Sequence, residues 1–472
     1  MSEELNRLLK LVGNSVSFDD GQIVIKDPSL LRGNIHKWVR ISTLEKGSLQ
    51  GWVRYLIRLS ALEMGIFPAS IQELYMARGR NEIEQKFSVP ALNLRVLSFD
   101  AAKAAFRAAH AIDAGALIFE IARSEIGYTD QQPSEFATNI LAAAISTGYK
   151  GPVFLQGDHY QVSAKRYNEN PELEIDRIEE LIKRSISAGF FNIDIDTSTL
   201  VDISKTDFDD QQELNVKLSA YFTDVIRKYE NGDISISIGG EIGEVGGRNS
   251  TEADLLAYLN GFNRELEKKY KGLTGLSKIS IQTGTSHGGV VLPDGSIAEV
   301  SVDFQTLRDL SRVSRKKFSL GGTVQHGAST LPEDAFGKFV EYEAVEVHLA
   351  TNFMNMFYDN VPKELLSKMY SYLNENFLTD RKPDMTDEQF AYKTRKYAIG
   401  PFKKEIFLLD DDFHNQMENL WFEKFLQLFN SLNIQNTKAL IDEMISLESI
   451  RPELKGYIGE VTADEDVSDL AD

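Results

Sequence analysis

Three of the seven histidines in this chain share an unusual setting. His159, His287 and His326 each follow an apolar or β-prone run that breaks into glycine: FLQGDHYQ (154–161), KISIQTGTSHGG (278–289) and FSLGGTVQHGAST (318–330). A run of the same form, SISIGGEIGEVGG (235–247), delivers Glu241. Such runs read as buried strands whose last residues emerge into a polar site. A lone histidine is ordinarily a hydrogen-bonded core or surface residue. Three at strand ends beside glycine point instead to one centre, since three imidazoles can hold Zn²⁺ and leave a fourth position for a substrate oxygen. The chain has no cysteine, so any metal must use histidines and carboxylates. Asp158, directly before His159, sets a proton donor beside a metal ligand, or else is a cap or loop carboxylate. Alternate side chains of a strand diverge, so both reach one site only through a kink at Gly157 or a strand end. The neighbouring glycines let backbone N–H groups approach an anion.

These residues need elements that bring strand ends to one face. Eight apolar segments satisfy that need: approximately Val89–Leu94, Ala116–Ile121, Val153–Gln156, Phe190–Ile195, Ile234–Ile238, Ile279–Gln282, Phe318–Leu320 and Ala344–Leu349. Helical patterns alternate with them, for example Phe99–Ala111, Ser134–Ser146, Ile175–Ser187, Glu213–Lys228 and Glu252–Lys269. Count, order and length predict an α/β fold, a (β/α)8 TIM barrel over residues 87–360. A doubly wound open sheet is the competitor, but it gathers functional residues at one switch point rather than at nearly every strand end. Residues 1–86 form an N-terminal helical extension that contains a hairpin at Ser15–Lys26, turning at Asp20-Gly21. Residues 361–462 form a C-terminal helical extension, with helices at Leu365–Asn374, Asp387–Tyr397, Phe413–Leu432 and Lys438–Leu447. Residues 463–472 form an acidic tail that is expected to lie outside the fold.

Composition narrows the functions. The net charge of −20 argues against a nucleic-acid backbone or an anionic membrane as partner, and leaves a small anionic substrate open. The start MSEELNRLLKLVGN has no basic stretch ahead of a long apolar run, and no segment reaches about 18 apolar residues. A cytoplasmic protein is expected.

The same motifs resemble those of the class II, metal-dependent fructose-bisphosphate and tagatose-bisphosphate aldolases, over roughly Phe87 to Met356. FSVPALNL (87–94) resembles the opening strand, with Asn93 on the substrate side. QGDHYQ implies Asp158 as catalytic proton donor and His159 as metal ligand. NIDIDTSTL (192–200) places Asp196 and Ser198 in the site. GGEIGEVGG gives Glu241 as a metal-proximal carboxylate, and GTSHGG and QHGAST supply His287 and His326 as the remaining ligands. The resemblance implies Zn²⁺ or another divalent metal, a sugar-phosphate substrate and a homo-oligomer. Gly288, Gly327, Ser329 and Thr351 become candidates for phosphate contact, and His348 a substrate-site cation, a hydroxyl partner or a buried interior histidine.

The chain departs from the family where the substrate binds. Arg248 and Asn249 stand where an acidic pair usually follows the double glycine, leaving Glu244 or Glu252 as substitutes. Ala122 replaces a serine, no lysine follows His287, and of the strand-eight Asn-x-Asp-Thr only Thr351 matches. The leading expectation is a zinc-dependent aldolase that cleaves a ketose bisphosphate such as fructose 1,6-bisphosphate into glycerone phosphate and an aldehyde. The alternatives are a metal-dependent sugar or sugar-phosphate epimerase or isomerase, and a non-catalytic barrel subunit of a tagatose-bisphosphate aldolase.

Overall fold

The computed structural model describes residues 3–243, 248–284, 302–328, 331–458, 467 and 470. His287, Gly288, Ser329 and Glu244 fall outside these. The strands are β1 (Val16–Asp19), β2 (Gln22–Ile25), β3 (Ile66–Ala69), β4 (Val89–Asn93), β5 (Ile118–Ala122), β6 (Gly151–Gln161), β7 (Asn192–Asp196), β8 (Ser237–Glu241), β9 (Lys278–Ser280), β10 (Thr323–Gln325) and β11 (Glu346–Leu349).

Strands β4 to β11 pair in parallel in chain order, and β11 returns to β4 through the register Glu346–Val89 to Leu349–Leu92. The sheet is therefore closed, with helices between its strands: the expected (β/α)8 barrel. The burial strings explain why. Strands β4 to β11 are buried at every position, as parallel strands covered by helices on one side and packed inward on the other must be. Among the covering helices, Pro171–Ala188 is amphipathic and capped at both ends. It opens on Asn170, which accepts from Leu173 N, and closes on Gly189.

Two expectations need correction. The seventh barrel strand is not Phe318–Leu320. Phe318 ends the helix Phe304–Phe318, Ser319 caps it in the left-handed region, and the strand starts only at Thr323. Gly321 and Gly322 form the turn between helix and strand, so the apolar run was a helix end. The N-terminal segment is also not purely helical beyond its hairpin. β3 joins the barrel sheet by pairing with β6, Ile66–Ala69 against Gly151–Phe154. Four residues with a central proline give little strand signal, and the edge position tolerates Pro68.

The hairpin and the C-terminal helices stand where the pattern put them, and the N-terminal extension also holds the helices Pro28–Leu44 and Ser48–Glu63. One apolar cluster runs from Leu5 through the barrel to Tyr457. Its largest helix–helix seam joins Asp411–Ser431 to Ser98–Ala111, with Glu418 paired to both Lys103 and Arg107. The tail is not wholly outside the fold: Val467 and Leu470 are buried against Tyr128 and Tyr397, because even an acidic segment gains by burying its few apolar side chains. Among the described residues no helix is long and apolar enough to cross a membrane.

Candidate active site

Strands β6, β7, β8 and β11, with the residue after β10, place side chains on a polar rung at the C-terminal end of the barrel: Asp158 and His159 from β6, Asp196, Glu241, His326 and His348. Asp158 and His159 share the rung because β6 is bulged. Its register with β7 slips between Gly157 and Tyr160, and His159 sits at φ 41°. The kink expected at Gly157 is therefore real. A Cβ at Gly157 would stand 2.3 Å from the Tyr160 ring, so only glycine lets that ring fold under the bulge. Gly157→Ala is expected to lower stability by about 1–3 kcal/mol and to loosen the centre, read as a fall in melting temperature together with metal content.

The ligand-type atoms of His159, Glu241 and His326 lie within 4.8 Å of one another, all buried. His159 Nε2 faces His326 Nδ1 at 3.0 Å. His159 Nδ1 is held by Asp196 Oδ2 at 3.0 Å, and Asp196 is itself fixed by Gln161 and Ser198. Ser280 Oγ stands 3.0 Å from His326 Nε2. Glu241 Oε1 lies 3.2 Å from His326 Nε2 and has no hydrogen-bond partner. An orphaned carboxylate oxygen beside two imidazoles, one oriented by a carboxylate behind it, is the donor set a divalent metal takes, so these residues fit one. Burial opposes a charged His159, yet Asp158, Glu241 and Asp196 outweigh it and hold its pKa well above the ordinary imidazole value. Burial, then the His348 and His159 charges, push His326 well below. Burial raises Glu241 to about 7 against the pull of His159. Asp196 is about 2, because hydrogen bonding and charge from His159 overcome burial.

Asp158 Oδ2 accepts from Asn93 Nδ2 at 3.2 Å, which places Asn93 beside Asp158. Its carboxyl is held well below the usual range, burial being outweighed by His159 and His348. Gly327 follows β10 with φ 69°, and Thr351 opens the helix Thr351–Asn360. Arg248 and Asn249 serve the scaffold: Arg248 grips both oxygens of Asp254 at 2.7 and 2.9 Å, and Asn249 bonds Asp303. Glu252 is exposed and paired with Lys317, away from the rung, and so does not substitute for the missing acids.

Beneath the rung lies a layer that sequence reasoning missed. Glu120, Gln156, Asp194, Lys278 and Glu346 are all 0–1% exposed. Lys278 Nζ donates to Gln156 Oε1 at 2.8 Å, Asp194 Oδ2 at 3.0 Å and Glu346 Oε1 at 2.5 Å. Tyr75, from the N-terminal segment, donates to Glu346 Oε2. Gly239 makes room: a Cβ there would meet Asp194 Oδ1 at 2.2 Å and Lys278 Cε at 2.8 Å. The signal was available. Inward side chains repeat every two residues, and Gln156, Asp194, Lys278 and Glu346 stand two before Asp158, Asp196, Ser280 and His348.

This layer makes stability depend on pH. Burial raises Asp194 from 3.8 to about 7 and Glu120 from 4.5 to about 7, despite Lys278 and His348 respectively. Between the ordinary values and pH 7 the folded chain holds protons that the unfolded chain has released. Stability from these two groups is therefore lost as pH rises through about 7. Glu346, held low by Lys278 against burial, acts oppositely and matters only on acidification. Metal-free protein should melt at a lower temperature at about pH 8 than at about pH 5.5, and Asp194→Asn should shrink the difference.

A closed parallel barrel with a buried histidine–carboxylate centre at its C-terminal rim defines a broad class of enzyme scaffold. Within it, this chain belongs to the class-II fructose-bisphosphate aldolase family, whose model matches residues 80–406. It is 26% identical over 156 residues to a fructose-bisphosphate aldolase of Giardia intestinalis; the match takes in 33% of this chain and only 40% of that protein. The fold is also similar to a probable tagatose 6 phosphate kinase from Sinorhizobium meliloti, with TM-score 0.51, 13% identity, and 75% of this chain and 99% of that one covered. A glycerol-complexed fructuronate-tagaturonate epimerase from Cohnella laeviribosi matches with TM-score 0.50 and 11% identity over 92% of this chain and 90% of its own.

Proposed function

We propose that the chain is a metal-dependent aldolase that reversibly cleaves a ketose phosphate or bisphosphate, such as fructose 1,6-bisphosphate, into glycerone phosphate and an aldehyde. The observation that carries the reading is a buried Asp158, its carboxyl held low by His159 and His348, beside the His159–Glu241–His326 set. His159, Glu241 and His326, joined by His287, are the residues that would hold Zn²⁺ or a similar ion. Such an ion supplies an electron sink for the ketone oxygen as the carbon–carbon bond breaks. Asp158, as carboxylate, takes the proton of the hydroxyl on the carbon that becomes the aldehyde, and returns it in condensation. Asn93 fixes the orientation of Asp158, and Asp196 fixes that of His159. Ser198 is the hydroxyl partner assigned to substrate. Gly288, Gly327, Ser329 and Thr351 are assigned to phosphate, since backbone N–H groups and hydroxyls can hold it without lysine.

A screen of fructose and tagatose mono- and bisphosphates tests this. Two three-carbon products should form from a six-carbon bisphosphate, and a chelator should stop their formation. An epimerase is the second reading. Its support is that the epimerase fold continues through the terminal segments, beyond residues 80–406. The same base and metal then act without net cleavage, and the product is a six-carbon isomer. Neither product from metal-loaded protein would leave the non-catalytic subunit.

A further inference from the structure

The C-terminal extension holds a cavity of about 470 Å³ between the helices Lys363–Asn376 and Asp387–Thr394, a size that suits a small molecule. Tyr370, Phe390, Tyr392 and Arg395 line it. Arg395 is 7% exposed, and its guanidinium lies 4.0 Å from the Tyr392 ring and 5.0 Å from the Tyr358 ring. Its Nη2 donates to Asn355 Oδ1, and its Nε is buried with no hydrogen-bond partner. Among the described residues no carboxylate pairs with it. A buried guanidinium ordinarily has a negative charge opposite it, since rings and an amide oxygen offset only part of its desolvation. The buried Arg54, Arg95 and Arg123 hold Glu135, Glu125 and Glu174 in this way. Arg58 and Arg78 donate to backbone carbonyls instead. Arg395 has neither kind of partner and borders a cavity, so its acceptor is one that enters.

We infer that this cavity binds a small aromatic amino acid, with Arg395 as the anchor for its carboxylate. The planar guanidinium fork matches a carboxylate. Tyr370, Phe390 and Tyr392 offer faces and edges to a ring. The charge at the mouth selects between anions. Asp387 and Glu388 are exposed there, and Asp387 is neutralised by Arg381 at 2.6 Å. Glu388 has no such partner among the described residues and can take the ligand's ammonium. The same carboxylate repels a doubly charged phosphate ester, which favours a zwitterion over a phosphate. Arg395 also holds Asn355, in the helix Thr351–Asn360 that follows β11, so an occupied cavity ties the extension to the barrel. No residue of the histidine–carboxylate centre takes part, and the site stands whichever reaction the centre performs.

Calorimetric titration of the full-length protein with L-phenylalanine and with L-tryptophan tests the inference. At least one should bind saturably, at about one per chain. The matching amine without a carboxylate should bind ~10–10²-fold more weakly, the loss of one charge-assisted hydrogen bond or more. The matching acid without an ammonium should lose only about 2–5-fold, because Glu388 is exposed. Arg395→Gln should weaken the amino acid as much as loss of its carboxylate does. Glu388→Gln should cost the amino acid the smaller factor and leave the ammonium-free acid unaffected. If Arg395→Gln fails to fold, the ligand series on wild type and Glu388→Gln decides. No saturable binding of either amino acid at about 10 mM would overturn the inference. So would equal affinity for the amine, or tighter binding of phenyl phosphate than of both amino acids.

Discussion

His326→Ala should lose one divalent ion per chain relative to wild type, and turnover should fall by ~10³-fold or more, the several kcal/mol of charge stabilisation that a bound metal supplies. His326 contacts the other members of the centre directly, at 3.0 Å from His159 and 3.2 Å from Glu241. Removing its ring takes away the nearer of the two imidazoles that flank Glu241 Oε1. His159→Ala should act alike, whereas Asp196→Asn should be milder. Asp196 orients His159 without belonging to the set, and losing such an outer partner typically costs 10–100-fold in metal affinity. Elemental analysis after desalting, paired with initial rates at added metal, separates the two grades of effect. Full metal content in His326→Ala, His159→Ala and Glu241→Gln alike would place the ion elsewhere.

What the sequence showed of this centre follows from where chain geometry is local. A β-prone run ending in Gly-Asp-His announces a strand end, and four such ends in order announce a barrel. The bulge that turns Asp158 and His159 to one side was legible only as a requirement, because register is set by β7 and not by β6 alone. The interior layer was hidden differently. Glu120, Asp194 and Glu346 sit in runs that read as apolar strands (IFEIA, NIDID, EVHL), where a carboxylate usually marks the solvent side. Only closure of the barrel brings Lys278 from β9 into reach of the two carboxylates that neutralise it, Asp194 and Glu346, and of the Gln156 amide. Tyr75 lay in a segment that looked like a mere appendage, yet its hydroxyl completes that layer. β10 was misplaced because Phe318-Ser319-Leu320 is apolar enough for a strand, while the left-handed Ser319 that stops the preceding helix leaves no mark in residue type.

Asp158→Asn should retain the ion held by His159, Glu241 and His326 but lower kcat by ~10²–10⁴-fold, the usual range for removing a positioned proton-transfer group. The substitution is nearly isosteric. The amide oxygen can still accept from Asn93 Nδ2, which fixes Asp158 Oδ2 in the wild type. What disappears is the negative charge and the acceptor basicity of Oδ1, the atom without a hydrogen bond. Because His159 sits beside Asp158 on the same bulge, a purely structural effect would disturb both residues and show as metal loss. A chemical effect shows as intact metal content with a fallen kcat and little change in KM, since the hydroxyl proton moves only in the transition state. Asp158→Glu sharpens the distinction. It keeps the charge but moves the carboxylate by one methylene in a closed site, so it should keep the metal as Asp158→Asn does and regain turnover only in part. Metal analysis and single-turnover rates on the two variants decide the point. Unchanged turnover in Asp158→Asn, under conditions where the chemical step limits the rate, would assign the proton transfer to another group.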